Sequence, residues 1–338
     1  MSVYPQALET LRQHPRTWLI TGAAGFIGSH LSEALLKLGQ RVTGIDNFAT
    51  GDPANLNEVR KRIGEGAWKN FIFVEGSVTD LEACRSVCGG VDFVLHEAGF
   101  ISVPQSIEDP IYCNAVNVDG TLNMLVAARE AEVRRFVYAS SSAVYGDDET
   151  LPKVEDKIGK PLSPYGTSKL VNELYADVFY KNHRLPVIGL RYFNVFGPRQ
   201  NPVGGYAAVI PKWITTLVAG ERCHINGDGS NTRDFCHIDN IVQANILAAT
   251  TPNENAFAEV YNVGLGARTS LNELYVAIRS KFSDDKIRAL EPEYGPPRPG
   301  DILHSTADIS KIQRDLGFES LVSVDQGLTE TVEWYARG

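Results

Sequence analysis

The chain has 338 residues, a net charge of −9, 43% hydrophobic residues and 22% charged residues, enough for one large domain or two interleaved ones. The acidic balance, with no stripe dense in Lys or Arg, argues against nucleic acid as a partner. No run of about 18 apolar residues occurs, and the opening MSVYPQALETLRQHPR lacks an apolar core, so neither a membrane span nor a signal peptide is expected.

Strand-like runs alternate with helical patterns. TWLIT (17–21) reads as a short buried strand. Glycines follow, then a helix over about 25–38 with Ile27, Leu31 and Leu35 on one face. QRVTGID (40–46) and FIFVE (71–75) are the next strands, and a helix begins near Asp80. VDFVLH (91–96) is a fourth strand, followed by a long helix over about 117–130. Arg134 and Arg135 read as a solvated turn before a fifth strand, FVYAS (136–140). A helix over 164–180 precedes a sixth strand, PVIGLRY (186–192). Apolar strands separated by helices predict an α/β fold, a doubly wound parallel sheet of the Rossmann type. Beyond Asn194 the stretches FGPRQNPVGGY, INGDGSNTRD and EYGPPRPGD predict a smaller, loop-rich α/β lobe. Residues 1–194 are therefore expected to form the nucleotide-binding domain, with 237–263 returning to it. Residues 195–236 and 264–338 are expected to form the substrate lobe. Ser270 and Glu273 fit a capping box that starts another helix. Cys84, Cys88, Cys113, Cys223 and Cys236 are scattered, so reduced, half-buried thiols in a cytoplasmic protein are expected. His96 and His237 are expected to satisfy strand-end hydrogen bonds rather than to bind metal.

Two sets of residues carry chemistry. Gly22-Ala-Ala-Gly25-Phe26-Ile27-Gly28 lies between the first strand and first helix. Glycines there allow a tight turn and let backbone N–H groups and the helix N-terminus meet a pyrophosphate. Asp46 ends the second strand, where a carboxylate accepts from an adenosine ribose. It repels a 2′-phosphate, and Asn47, Phe48 and Ala49 bring no cation to hold one, so NAD is favoured over NADP. In SPYGTSK, Tyr165 and Lys169 stand four apart at the start of a helix and share a face. An ammonium beside a phenol stabilises the phenolate, making Tyr165 a candidate base. Ser140, Ser141 and Ser142 end the fifth strand, at the edge where doubly wound sheets bind ligands.

These motifs, with TWLITGAAGFIGSH, GIDNFATG, LPKVEDKIGKPLSPYGTSK, GLRYFNVFGPRQ, YAAVIPKW, INGDGSNTRDFCHIDN and RPGDILHSTADISK, resemble the extended short-chain dehydrogenase/reductase family over nearly the whole chain. Within it the chain is most similar to bacterial UDP-N-acetylglucosamine 4-epimerases. The resemblance implies that Tyr165 is the base, that Lys169 binds the nicotinamide ribose and tunes it, and that Ser141 bridges to the sugar hydroxyl. It implies an NAD cleft that also takes in Phe26, Ile27, Asn47, Ser77, Val78 and Ala98. It implies UDP-sugar contacts at Ser102, Ser142, Asn194, Val209, Asn226, Arg233, Arg298, Asp301 and Ser305. The family pairs the helices over 117–130 and 164–180 across a homodimer through a four-helix bundle. Inversion at C4 through a transient 4-keto sugar is the expected reaction. Relatives that dehydrate or decarboxylate carry acids after Ser141, where Ser142, Ala143 and Val144 stand here. Ser305 replaces a bulky Tyr of epimerases restricted to UDP-glucose and UDP-galactose, which favours UDP-GlcNAc and UDP-GalNAc. Ile101 and Gln105 depart from the Gly and Arg of close relatives. A plain hexose, a uronate or another sugar-nucleotide reaction therefore stays open. Ser77 replaces a usual Asp, which predicts weaker adenine binding, and Gly99 replaces a usual Ala.

Overall fold

The computed structural model describes residues 2–202, 207–297 and 303–337. Seven strands form its main sheet: β1 (Thr17–Thr21), β2 (Arg41–Asp46), β3 (Phe71–Glu75), β4 (Phe93–His96), β5 (Arg135–Ser141), β6 (Val187–Tyr192) and β7 (Val260–Val263). Their order across the sheet is β7-β6-β5-β4-β1-β2-β3, and every neighbour is parallel. The order reverses between β1 and β4, and ligands of such sheets bind beyond the strand ends at that crevice.

Side chains alternate between two cores, as the period of a strand requires. Trp18 and Ile20 face one core with Leu31, Leu35 and Leu247. Leu19 faces the other with Val94, Met124 and Phe136. The sheet is thus a doubly wound parallel sheet covered on both faces. The Phe26–Lys37 helix covers one face with the predicted Leu31 and Leu35. The Ile238–Thr250 helix returns to the same face and leads on to β7. A separate apolar cluster, including Phe196, Trp213, Ile225, Phe235, Leu274 and Leu328, holds the chain beyond the strand ends together. Short strand pairs lie there: Asn194–Phe196 with Phe235–His237, Thr232–Arg233 with Thr269–Ser270, and His224–Asn226 with Glu293–Gly295. The capping box at Ser270 and Glu273 is formed.

Some expectations need correction. Helices at Val3–Gln13 and Pro53–Trp68 were not foreseen. The first docks Tyr4, Leu8 and Leu11 on the core. The helix expected from Asn117 begins earlier, at Pro110, where Asp109 caps the Tyr112 N–H. It runs through a π turn over Ala115–Asp119 before Gly120–Glu130. Arg135 is buried in β5 rather than solvated. Its guanidinium stacks 3.7 Å from the Phe257 ring centre and donates to the Thr251 carbonyl at 3.2 Å. Only Arg134 is at the surface, paired with Asp92 at 2.8 Å. The five cysteines are fully buried rather than half-buried, and all are free.

Candidate active site

The turn after β1 is shaped by close approaches. Gly22 has φ +69°, and a Cβ there would stand 2.9 Å from the Ala98 amide. A Cβ on Gly28 would stand 2.1 Å from the Gly22 carbonyl oxygen. No side chain caps the helix that starts at Phe26, so its first amides and dipole are left to a ligand. The Asp46 carboxylate accepts from Ala24 N–H at 2.9 Å and Phe48 N–H at 2.8 Å. Those bonds tie the turn to the end of β2 and leave each oxygen a second lone pair. A cleft of about 500 Å³ opens here. Its walls include Gly22, Gly25, Phe26, Ile27, Gly28, Asp46, Asn47, Ser77, Val78 and Ala98. The donor set fits a dinucleotide: backbone amides for the pyrophosphate and a carboxylate for the ribose. Ser77 bonds the Thr79 hydroxyl at 2.8 Å, so it braces its own loop as well as lining the cleft.

The Pro164–His183 helix starts where it does because Ser163 accepts from the Gly166 N–H and Pro164 takes the first helical position. Tyr165, Lys169 and Glu173 follow at intervals of four and face the end of β5. Ser141 faces the Tyr165 phenol and favours its ionised form. Lys169 donates to the Ala139 carbonyl at 2.9 Å, and its ammonium lies 5.9 Å from the Tyr165 ring centre. Burial raises the phenol above its ordinary value, and Ser141 opposes this. Burial lowers Lys169 to about 8. Glu173 is clamped by Arg191 through two bonds, at 2.9 and 2.8 Å, and accepts from Ser140 at 2.5 Å.

A second cleft, of about 260 Å³, lies across the strand ends from the first. It gathers Asn194, Val209, Asn226 and Arg233 with Gln200, Lys212 and Trp213. Ser305 is buried beside it and donates from its backbone to the Thr232 carbonyl at 3.1 Å. Ser142 opens the turn after β5. Ser102 caps the short helix Val103–Glu108, and the neighbouring wall of the first cleft is made by Phe100, Ile101 and Gln105 instead. Arg298 and Asp301 lie outside the described residues.

Sequence reasoning missed three residues at these clefts. Gln200 lines the second one. Asn117 clamps the loop after β4, accepting from Phe100 N–H at 2.7 Å and donating to its carbonyl at 3.0 Å. Glu97 lines the first cleft and accepts from the Tyr192 hydroxyl at 2.9 Å. None of the three carries a periodic mark in the sequence, and Asn117 stands in the π turn that the structure reveals. His96 bonds Thr21 at 2.8 Å and Thr121 at 3.0 Å, as a strand-end residue should. His237 comes together with Asp239 and Glu330. Its Nδ1 accepts from the Asp239 N–H at 3.4 Å, and its Nε2 lies 3.9 Å from the Glu330 carboxylate.

The family model described as the NAD dependent epimerase/dehydratase family matches residues 18–264. A UDP-glucose 4-epimerase of Mycolicibacterium smegmatis is 35% identical over 319 residues, 94% of this chain and 97% of its own. The structure of a UDP-N-acetylglucosamine 4-epimerase from Methanobrevibacter ruminantium, in complex with UDP-N-acetylmuramic acid, is 35% identical, with a TM-score of 0.87. The match covers 96% of this chain and 99% of that one. The Thermus thermophilus UDP-glucose 4-epimerase, in complex with NAD, is 31% identical with a TM-score of 0.81, over 95% of this chain and 99% of that one. Fold, nucleotide cleft and sequence agree: the chain belongs to the NAD-dependent epimerase/dehydratase family, and NAD is its cofactor.

Proposed function

We propose that this chain inverts C4 of a UDP-sugar, with UDP-GlcNAc and UDP-GalNAc as the preferred pair. The observation that supports the reaction is Tyr165 at the sheet edge, with Ser141 acting on its phenol and the Lys169 ammonium 5.9 Å from its ring centre. NAD, when bound along the glycine turn, supplies reversible two-electron oxidation at the sugar carbon. Tyr165 takes the proton of the 4-hydroxyl, and Ser141 orients that hydroxyl by a shared hydrogen bond. After the 4-keto sugar has turned over, reduction on its opposite face would invert C4, and Tyr165 returns the proton to the 4-oxygen. Arg233 and Asn226, in the second cleft, would hold the diphosphate and nucleoside, since a guanidinium fork matches paired oxygens. Arg298 and Asp301 are proposed for the same site. The turn Ser142–Tyr145 carries no carboxylate to expel a 6-hydroxyl, which supports epimerisation over dehydration.

The preference for an acetylated sugar rests on volume. Ser305 is small and buried beside the Arg233 strand, so a 2-acetamido group meets no bulky wall there. Ile101 is 68% exposed on the other cleft, and its bulk favours a plain hexose or a uronate as the second reading. The test is a side-by-side rate measurement on UDP-Glc, UDP-Gal, UDP-GlcNAc and UDP-GalNAc, repeated with Ser305→Tyr. The acetylated pair should turn over fastest and lose at least ~10-fold in the variant, in line with the effect of blocking a pocket by ~1–3 kcal/mol. Equal losses on all four sugars would refute the steric account. A stable keto product, or NADH formed in step with product, would refute the epimerase itself.

A homodimer is proposed through the Pro164–His183 helix and its neighbour. Leu174, Tyr175 and Val178 are exposed on that helix, and Ile111 on the neighbouring one is 82% exposed. Such a contiguous apolar face suits a four-helix interface. Sedimentation should give a dimer for the wild-type chain and a monomer for Leu174→Glu/Val178→Glu. A wild-type monomer at micromolar concentration would end this proposal.

A further inference from the structure

Glu97 follows β4 directly, and its carboxylate stands in the wall of the cofactor cleft. One oxygen, Oε1, accepts from the Tyr192 hydroxyl at 2.9 Å. That hydroxyl in turn accepts from the Asn245 amide at 2.8 Å. The chain of bonds thus runs from the Ile238–Thr250 helix through β6 to the end of β4. The other oxygen, Oε2, is enclosed and has no hydrogen-bond partner. An enclosed carboxylate oxygen without a donor is costly, and a nearby cation is what offsets such a cost.

The cation is Lys169. The Ala139 carbonyl takes one of its three N–H groups. A Cβ built on Gly99 would lie 3.4 Å from Nζ, so the ammonium lies against the backbone two residues beyond Glu97. The side chains that act on Lys169 among the described residues are Glu97 and Cys113, and both favour its charge. Cys113 is a thiol that burial keeps protonated, which leaves Glu97 as the carboxyl group acting on Lys169. His96 turns its ring between Thr21 and Thr121, and burial with the Lys169 charge holds it at about 3, so it is neutral. The side chains acting on the Tyr165 phenol are Ser141 and Cys113, and Lys169 stands 5.9 Å from its ring centre. Glu173, on the same helical face, is taken up by Arg191.

We infer that Glu97, held by Tyr192 and Asn245, is a positioning residue that keeps Lys169 charged so that Tyr165 can serve as a base near neutral pH. This rests on the reading of Tyr165 as the base. The physical need is plain. Burial raises the phenol, so a cation must bring it back. The same burial pulls Lys169 down to about 8, and a neutral amine gives a phenolate no help. Glu97 opposes that fall. Its own carboxyl stands at about 7, because burial raises it more than the Tyr192 bond and the Lys169 charge lower it.

The sign follows. Neutralising Glu97 lets Lys169 lose its proton at lower pH. The phenol then ionises at higher pH, and the acid limb of the rate profile moves up. The variants are Glu97→Gln, whose amide oxygen still accepts from Tyr192, and Tyr192→Phe, which removes the donor. The readout is the near-ultraviolet absorbance of phenolate against pH in the NAD-loaded protein, with Tyr165→Phe as the blank for the other tyrosines. Glu97→Gln should move the Tyr165 transition to a pH about one unit higher, and kcat at neutral pH should fall ~10-fold with KM unchanged. Tyr192→Phe should move it the same way by less. Melting temperatures near wild type would separate this from loss of structure. A Tyr165 transition that stays in place or moves down in Glu97→Gln overturns the inference alone. A wild-type titration with no Tyr165 component overturns the base assignment, and the inference with it.

Discussion

Tyr165→Phe should reduce turnover on every UDP-sugar by ~10²–10⁴, the usual worth of a positioned proton-transfer group. The substitution removes one oxygen from a buried ring and leaves the helix cap at Ser163 intact. The Ser141 hydroxyl keeps the bond it accepts from the Ala143 N–H at 3.2 Å, so it is not stranded. The NAD cleft is walled by other residues, from Gly22 to Tyr112 and Val116. Bound NAD, counted per chain, should therefore be near wild type, and the melting temperature should change little. Loss confined to kcat would mark an interaction made in the reaction rather than in binding. The check is steady-state kinetics on purified variant alongside cofactor content. A variant that keeps more than a tenth of wild-type kcat would remove Tyr165 from the chemistry. A variant that loses NAD or melts early would instead give Tyr165 a structural task.

Much of this arrangement was legible because local rules govern it. Apolar runs four to seven residues long, split by helical periods, gave the parallel sheet. The glycine turn, Asp46 and the four-residue step from Tyr165 to Lys169 are short-range patterns, and each lies where its pattern placed it. Residues whose meaning depends on distant neighbours were not legible. Arg135 reads as surface because it follows another arginine, yet Phe257, far along the chain, gives its guanidinium a face to stack on. Glu97 has no periodic mark. Its significance comes from Tyr192, Asn245 and Lys169, which three different elements deliver. The lysine's effect on Tyr165 was read from spacing alone. Burial acts on both groups and pushes them apart, a consequence only the packed protein reveals. The helices Val3–Gln13 and Pro53–Trp68 escaped notice for another reason. Val3–Gln13 carries the helical stripe Tyr4, Leu8 and Leu11 but stands outside the strand–helix alternation, and Pro53–Trp68 buries just Leu56 and Val59.

The buried pair Arg191–Glu173 carries the other large expected effect. Arg191→Met should destabilise the fold by about 3–5 kcal/mol, because it leaves a buried carboxylate without its counter-charge. Both side chains are almost fully enclosed, at 3% and 8% exposure, so solvent cannot take over. The loss would reach beyond the pair. Arg191 also donates to the Tyr145 hydroxyl at 3.1 Å and the Glu155 carbonyl at 2.9 Å. Tyr145 and Glu155 both bond Asn262 on β7, at 2.6 and 2.9 Å. The guanidinium thus joins β6 to the catalytic helix, to the loop after β5 and, through that loop, to β7. Glu173 stands two turns beyond Tyr165 on the helix face that carries Lys169, so freeing it loosens the mount of Tyr165 itself. Urea melts should show the predicted fall, and kcat should drop well below the melting temperature while NAD content holds. Glu173→Gln alone leaves a charged guanidinium buried and should also be costly. In Arg191→Met/Glu173→Gln neither charge remains, so the double variant should lose clearly less than the two single losses added together. Simple additivity, or an Arg191→Met loss under about 1 kcal/mol, would mean that the helix is held by its apolar contacts and that the ion pair merely fills space between them.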